Sequence, residues 1–160
     1  MRVTLIRHGE AEAQAWRDED RALTKRGRAD ARRVGRALGR HGARFGLIVS
    51  SPLVRAVQTA EIVAAATGYR RAILATRLLI PDAEPTGVRE LLAQQTGVRS
   101  VALVAHEPIL SAACAALLGF ASVPALKKAE AIRIRLPDDI TQPGQFRWRI
   151  DPVSGKRLRR

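Results

Sequence analysis

Cysteine is almost absent. Cys114 is the single one, so no disulfide can form within the chain. It sits in the apolar run from Ala112 to Leu118, where an inert buried thiol is expected. No Cys/His cluster has zinc-ligand spacing, and no metal or other cofactor is expected. Long hydrophobic runs are missing too. The first apolar run, Val3 to Ile6, is cut short by Arg7, which argues against a signal peptide. No run approaches a membrane span, so no membrane partner is expected and a reducing cytoplasm is the expected compartment. Aromatic residues make up only 4% of the chain. Acidic residues are also scarce, with 15 Asp and Glu against 28 Lys and Arg, a net charge of +13. Such a balance attracts acidic partners or reflects solvated helix faces. No nucleic-acid motif accompanies it, and no aromatic residues interleave with the arginines, so nucleic acid is not the expected partner.

What the chain does have is a large apolar fraction, 46% of 160 residues and mostly Ala, Val and Leu, enough for one globular core. Arg2 to Arg7 reads as a buried strand. Thr24 caps a helix running to about Arg40, with Ala31, Val34 and Leu38 on one face and Gly42 just past its end. Phe45 to Ser50 reads as a short strand. Ser51 then caps a helix with Pro52 at its first position, stopped by Gly68. Ile73 to Leu79 is expected to be a strand, and Thr86 to Gln95 a helix closed by Gly97. Ser100 to Ala105 is a continuous apolar strand, and Pro108 opens a helix ending near Gly119. Ala131 to Leu136 and Gln145 to Ile150 alternate as a hairpin or two edge strands. The alternation implies an α/β fold with a mainly parallel sheet. One domain, 1–152, is expected, followed by a loose basic tail, 153–160.

The tripeptide Arg-His-Gly occurs twice, at Arg7-His8-Gly9 and at Arg40-His41-Gly42. The second copy ends an amphipathic helix, where Gly42 is a C-cap and the basic pair suits the negative end of the helix dipole. The first copy follows a buried strand, and in open α/β sheets ligands bind beyond the carboxyl ends of strands. Arg55 lies about one turn into the helix after the second strand. His106 lies where the strand ending at Ala105 gives way to a helix. Two histidines and two arginines, Arg7 and Arg55, thus converge on one sheet edge beside helix N-termini. Each residue alone reads as readily as a core histidine or a surface charge; together they make a phosphate site. Arginine offers bidentate donors to phosphoryl oxygens, neutral imidazole can attack phosphorus, and a second histidine can donate to the developing charge.

The segments Leu5-Ile6-Arg7-His8-Gly9-Glu10, Leu23-Thr24-Lys25-Arg26-Gly27, Ser51-Pro52-Leu53-Val54-Arg55-Ala56-Val57-Gln58-Thr59 and Val104-Ala105-His106-Glu107-Pro108 resemble the histidine phosphatase superfamily, in the family's order and across nearly the whole chain. The short length resembles its bacterial phosphohistidine phosphatases of the SixA type. The resemblance implies a phosphoglycerate mutase-like three-layer α/β/α sandwich. It also implies a transiently phosphorylated His8, with Arg7, Arg55 and His106 on the phosphoryl group and Gly9 allowing close backbone approach. Gln14 stands where larger members carry a phosphate-contacting Asn. Their mid-chain acidic proton donor has no matching motif; Asp82, Glu84 and Glu90 are candidates by region only. An alkoxide leaving group, whose hydroxyl has a pKa of roughly 15.7 as in water, needs such an acid. Imidazole, with a conjugate acid near about 6.5, needs it far less. The expected substrate is therefore phosphohistidine on a histidine phosphotransfer domain or phosphocarrier protein. A small-molecule phosphomonoesterase or mutase and a non-catalytic phosphate- or RNA-binding module are the alternatives.

Overall fold

The computed structural model describes residues 1–159. Four strand–helix units carry most of it: β1 (Arg2–Arg7) and α1 (Lys25–Arg40), β2 (Leu47–Ser50) and α2 (Val54–Thr67), β3 (Leu74–Ala75) and α3 (Pro85–Ala93), and β4 (Ser100–Ala105) and α4 (Ile109–Leu118). Three further strands follow, β5 (Ala131–Arg135), β6 (Gln145–Ile150) and β7 (Arg157–Leu158). One seven-stranded sheet results, ordered β3-β2-β4-β1-β5-β6-β7. It is mixed: β1 to β4 pair in parallel, while β5, β6 and β7 add on antiparallel from the β1 side.

Period-two alternation sorts the core into two clusters, one per sheet face. Val3, Leu5, Val49, Val101 and Leu103 meet Val88 and Leu92 of α3 and Ile109, Leu110 and Leu117 of α4. Ile6, Ile48, Ala102 and Val104 meet Val34 and Leu38 of α1 and Ala56, Ala60 and Val63 of α2. Helices therefore cover both faces, and the α/β layering expected from the strand–helix alternation is what forms. The helix ends follow from local chemistry. The Thr24 hydroxyl accepts from the Gly27 amide at the start of α1. Gly68 and Gly119 close α2 and α4 with φ of 71° and 72°, a left-handed conformation that glycine adopts without steric cost.

Several expectations shift. The strand foreseen over Ile73 to Leu79 shrinks to Leu74–Ala75. The Thr76 hydroxyl accepts from the Leu78 amide and turns the chain into a 3₁₀ turn, Arg77–Leu79. The β2 strand starts at Leu47 rather than Phe45, and α2 starts at Val54, not at Pro52: the Ser51 hydroxyl accepts from the Leu53 amide and faces His106, and Leu53 takes the N-cap position. The β5–β6 pair forms antiparallel as foreseen, but neither strand is an edge. Residues 153–159 are not a loose tail throughout, since Arg157–Leu158 pair with Arg149 and Ile150; Arg160 lies outside the described residues.

Candidate active site

Three parallel strands end side by side, and the residue following each one enters the site: His8 after β1, Ser51 after β2 and His106 after β4. Hydrogen bonds that continue the ladder fix them. The His8 amide donates to Ala105 O at 3.0 Å, and its carbonyl accepts from the Ala129 amide at 3.0 Å. The Ser51 amide donates to Val104 O at 2.9 Å. His8 and His106 are both buried, at 8% and 2% exposure, and their ring centroids lie 4.9 Å apart with the planes tilted by 54°.

The His8 ring has a defined tautomer. Its Nδ1 lies 2.6 Å from the Gly9 carbonyl oxygen. A carbonyl only accepts, so Nδ1 carries the proton and the Nε2 lone pair is free. Burial pushes the His8 pKa down to about 4; Arg55, Arg7 and Arg21 add to that, against the opposing Gly9 hydrogen bond. Burial, followed by His8 and Arg55, pushes His106 down to about 3. Both rings are therefore neutral at neutral pH. The His106 Nε2 sits 2.8 Å from the Ser51 hydroxyl, while its Nδ1 is buried without a partner.

Each arginine is anchored at one end. Arg55, 3% exposed in the first turn of α2, donates through Nη1 to the Asp18 carbonyl at 2.8 Å and through Nη2 to the Asp18 carboxylate at 3.0 Å. Its Nε has no partner. Asp18 opens a 3₁₀ turn, Asp18–Asp20, in the connection from β1 to α1, and its other carboxylate oxygen accepts from Arg21 Nε at 2.8 Å. Burial opposes ionisation of Asp18, but Arg55 and Arg21 outweigh it and hold the carboxyl below its usual range. Arg7 donates through Nη1 to Leu126 O at 2.6 Å, and its Nε is buried without a partner. Leu126 is itself pinned by its amide, which donates to Glu107 Oε1 at 2.8 Å.

Gly9 serves packing. A Cβ there would stand 2.6 Å from the Gly27 carbonyl, and one at Gly27 would stand 2.0 Å from the Glu10 carbonyl. The two glycines let the chain after His8 lie directly on the first turn of α1. The Gly9 amide donates to Thr59 Oγ1 at 3.1 Å, and that hydroxyl donates to the Arg55 carbonyl at 2.7 Å. The structure thus brings together His8, Arg7, Arg55, His106 and Gly9. Gln14 is exposed in the loop after β1, and among the described residues no hydrogen bond joins it to them. Asp82, Glu84 and Glu90 are exposed as well.

Four further residues around the site escaped the sequence reading. Ser51, Thr59 and Glu107 lay inside the quoted segments, but their partners are remote in sequence. Asp18 had a local signal: it lies three residues before Arg21 in a run of acids bracketed by Arg17 and Arg21. Among the described residues, no His/Cys/Asp/Glu group has a metal-binding arrangement, and no helix is long and apolar enough to cross a membrane.

The family model described as histidine phosphatase superfamily (branch 1) matches residues 3–78. The phosphohistidine phosphatase SixA of Escherichia coli is 26% identical over 98% of this chain and 97% of that protein. A 2,3-bisphosphoglycerate-dependent phosphoglycerate mutase of Methylobacterium radiotolerans is 42% identical over 38% of this chain, which spans 31% of the mutase's length. The solved structure of the protein histidine phosphatase SixA complexed with tungstate superposes with a TM-score of 0.91 at 26% identity, over 98% of this chain and all of that one.

Proposed function

The chain belongs to the histidine phosphatase superfamily, and from that membership we propose that it removes the phosphoryl group from phosphohistidine on a partner protein through a phospho-His8 intermediate. The observation that carries the reading is the neutral His8 ring. Its proton is held on Nδ1 by the Gly9 carbonyl and its Nε2 is free, 4.9 Å centroid to centroid from a second neutral histidine between two arginines.

In the first step the His8 Nε2 lone pair attacks phosphorus. The phosphorus–nitrogen bond to the substrate imidazole breaks, and that imidazole leaves with the bonding pair and takes up a proton. In the second step water attacks the phospho-His8, the new P–N bond breaks, and inorganic phosphate departs. Arg7 and Arg55 hold the phosphoryl oxygens. His106 donates to them; a bound phosphoryl dianion raises the pKa of both histidines and strengthens that donation. The Ser51 hydroxyl, accepting from the Leu53 amide and facing His106 Nε2, supports a His106 tautomer with its proton on Nδ1.

A partner protein fits better than a sugar phosphate. Imidazole leaves without a strong general acid, and Asp82, Glu84 and Glu90 are exposed and make no hydrogen bond to the site. Trp16 points the same way: it is 96% exposed in the connection that also carries Asp18, so it offers a protein partner an apolar contact beside the site. A histidine phosphotransfer domain or phosphocarrier protein is the partner type we assign. The test is turnover of a phosphohistidine protein against a panel of sugar phosphates, with acid-labile phosphate on the enzyme trapped by rapid quenching. Turnover confined to the phosphoprotein, with label lost in His8→Ala, is expected. Preferred turnover of a sugar phosphate would make it a small-molecule phosphatase, and full activity in His8→Ala would remove the mechanism.

A further inference from the structure

The opposite end of the sheet, where β1 and β4 begin, holds a groove of about 1030 Å³. Five arginines line it: Arg2, Arg99, Arg133, Arg135 and Arg147. Among the described residues none of the five forms an ion pair, and none of their guanidinium groups donates a hydrogen bond to the protein. Asp138 is the one carboxylate lining the groove.

The register makes this costly. Arg2 on β1 pairs directly with Arg135 on β5, and Arg133 lies two residues along on the same face. Like charges directly opposite on adjacent strands repel. Arg133 is buried at 6% exposure, with its guanidinium carbon 5.0 Å from the Trp148 ring centroid and 5.7 Å from that of Phe45. Its Nε and Nη2 nonetheless have no partner. Burial, with Arg2 adding, pushes its pKa down to about 10, so it is still charged at neutral pH. A buried, unsatisfied cation is expensive unless an anion meets it.

We propose that this groove is a second anion site, separate from His8, for a small molecule bearing two or more phosphoryl groups, held by Arg2, Arg133 and Arg135. Two or more phosphoryl groups match three unpaired guanidinium groups in charge. The volume fits a nucleotide-sized ligand. Nucleic acid fits less well, because base stacking needs free aromatic faces: Trp148 already has Arg133 over its ring, and the other ring lining the groove, His41, is a small imidazole. The inference does not depend on the phosphatase reading.

The test is calorimetric titration of the full chain with inorganic tripolyphosphate and, in parallel, ATP without metal at physiological salt. It is run in the Arg55→Ala background to weaken anion binding at His8. One equivalent is expected to bind and to raise the melting temperature. Adding Arg2→Ala and Arg135→Ala, both at exposed positions, should weaken binding at least tenfold, and Arg133→Met should do the same. With Arg55 intact, the Arg2→Ala/Arg135→Ala variant should turn over substrate as wild type does in the absence of polyphosphate. Equal affinity for the two probes assigns the site to the phosphate chain; tighter ATP binding assigns it to a nucleotide. No binding in the Arg55→Ala background, binding untouched by the groove substitutions, or a single-stranded oligonucleotide binding tenfold tighter than either probe would overturn the proposal.

Discussion

The two Arg-His-Gly tripeptides are identical in sequence and differ in what surrounds them. His8 follows a central strand, is 8% exposed and has one ring nitrogen committed to a carbonyl. His41 is the exposed C-cap of α1, and Gly42 beyond it turns the chain at φ 73° with open space around it. Gly9, by contrast, has a backbone carbonyl where its side chain would go. Arg7 spans to Leu126 O, while Arg40 is exposed in the last turn of its helix. Three residues acquire a chemistry only from the surfaces closing over them, and the motif has no meaning apart from the strand end that presents it.

The largest effect separates the two histidines. His8→Ala is expected to lower kcat on a phosphohistidine protein by on the order of 10⁴-fold or more, as loss of a nucleophile does. His41→Ala should leave it within twofold. Comparable losses from the two substitutions would mean that the two histidines do not differ in role.

Acid should divide them as well. The folded His8 pKa is about 4 and the unfolded value 6.5, so between these values the unfolded chain binds more protons. Stability from keeping His8 neutral is full above about pH 6.5 and is lost as the pH falls toward 4, about 3 kcal/mol in all by the linkage slope. His106 adds to the loss in the same window and continues it toward pH 3. Melting curves from pH 7 to 5 should fall less steeply in His8→Gln than in wild type. His41, held below its ordinary pKa by slight burial and by Arg157 and Arg40, is exposed, and His41→Gln should change the slope little.

The glycines sharpen the contrast by mechanism. Gly9→Ala forces a Cβ against the Gly27 carbonyl and should cost roughly 1–3 kcal/mol of stability, as overpacking does, together with most of the activity. Gly42→Ala has space but the wrong backbone angle, so it should cost about 1–2 kcal/mol, the left-handed penalty, and leave kcat alone. Denaturant titration paired with turnover separates the two.

The smallest effect concerns Asp18, for which the second tripeptide has no counterpart. Its carboxylate, 63% exposed, holds the Arg55 guanidinium that would grip a phosphoryl group. Asp18→Asn should lower KM a few-fold, within the roughly 1 kcal/mol that an exposed pair is worth, and leave kcat unchanged. A raised KM would instead make Asp18 a support that orients Arg55.

Elements defined by their own residues were legible in advance. The apolar run Ser100 to Ala105, the Thr24 cap, and Gly68 and Gly119 as stops all act locally, and they emerge where expected. Misreadings came where a group finds a distant partner. Ser51 reads as a helix cap, yet its hydroxyl faces His106, 55 residues away. Ile73 to Leu79 is apolar enough for a strand, but among Leu74, Leu78 and Leu79 only Leu79 is buried, and Thr76 turns the chain before it. The C-terminal pairing rests on backbone bonds between β6 and β7 that no side-chain pattern announces. The convergence of His8, Arg7, Arg55 and His106 was legible because strand ends in parallel order come together as a matter of topology. Their supports were not, since a hydrogen bond such as Gly9 to Thr59 leaves no periodic trace.

β1 is the strand at which the sheet changes direction. On its β4 side every connection at the His8 edge leaves a strand and heads into a helix, tightly after β2 and β4 (residues 51–53 and 106–108) and through a longer loop after β1 (residues 8–24). On its β5 side the chain arrives at the edge, through Leu126 to Glu130, before entering a strand. An arriving segment is pinned only at its last few residues. Additional residues inserted upstream of Leu126 can therefore accumulate as a hood over the histidines without altering any strand-to-helix turn. The rim beside β5 is thus closed by an arriving segment, and the rim beside β4 by departing ones.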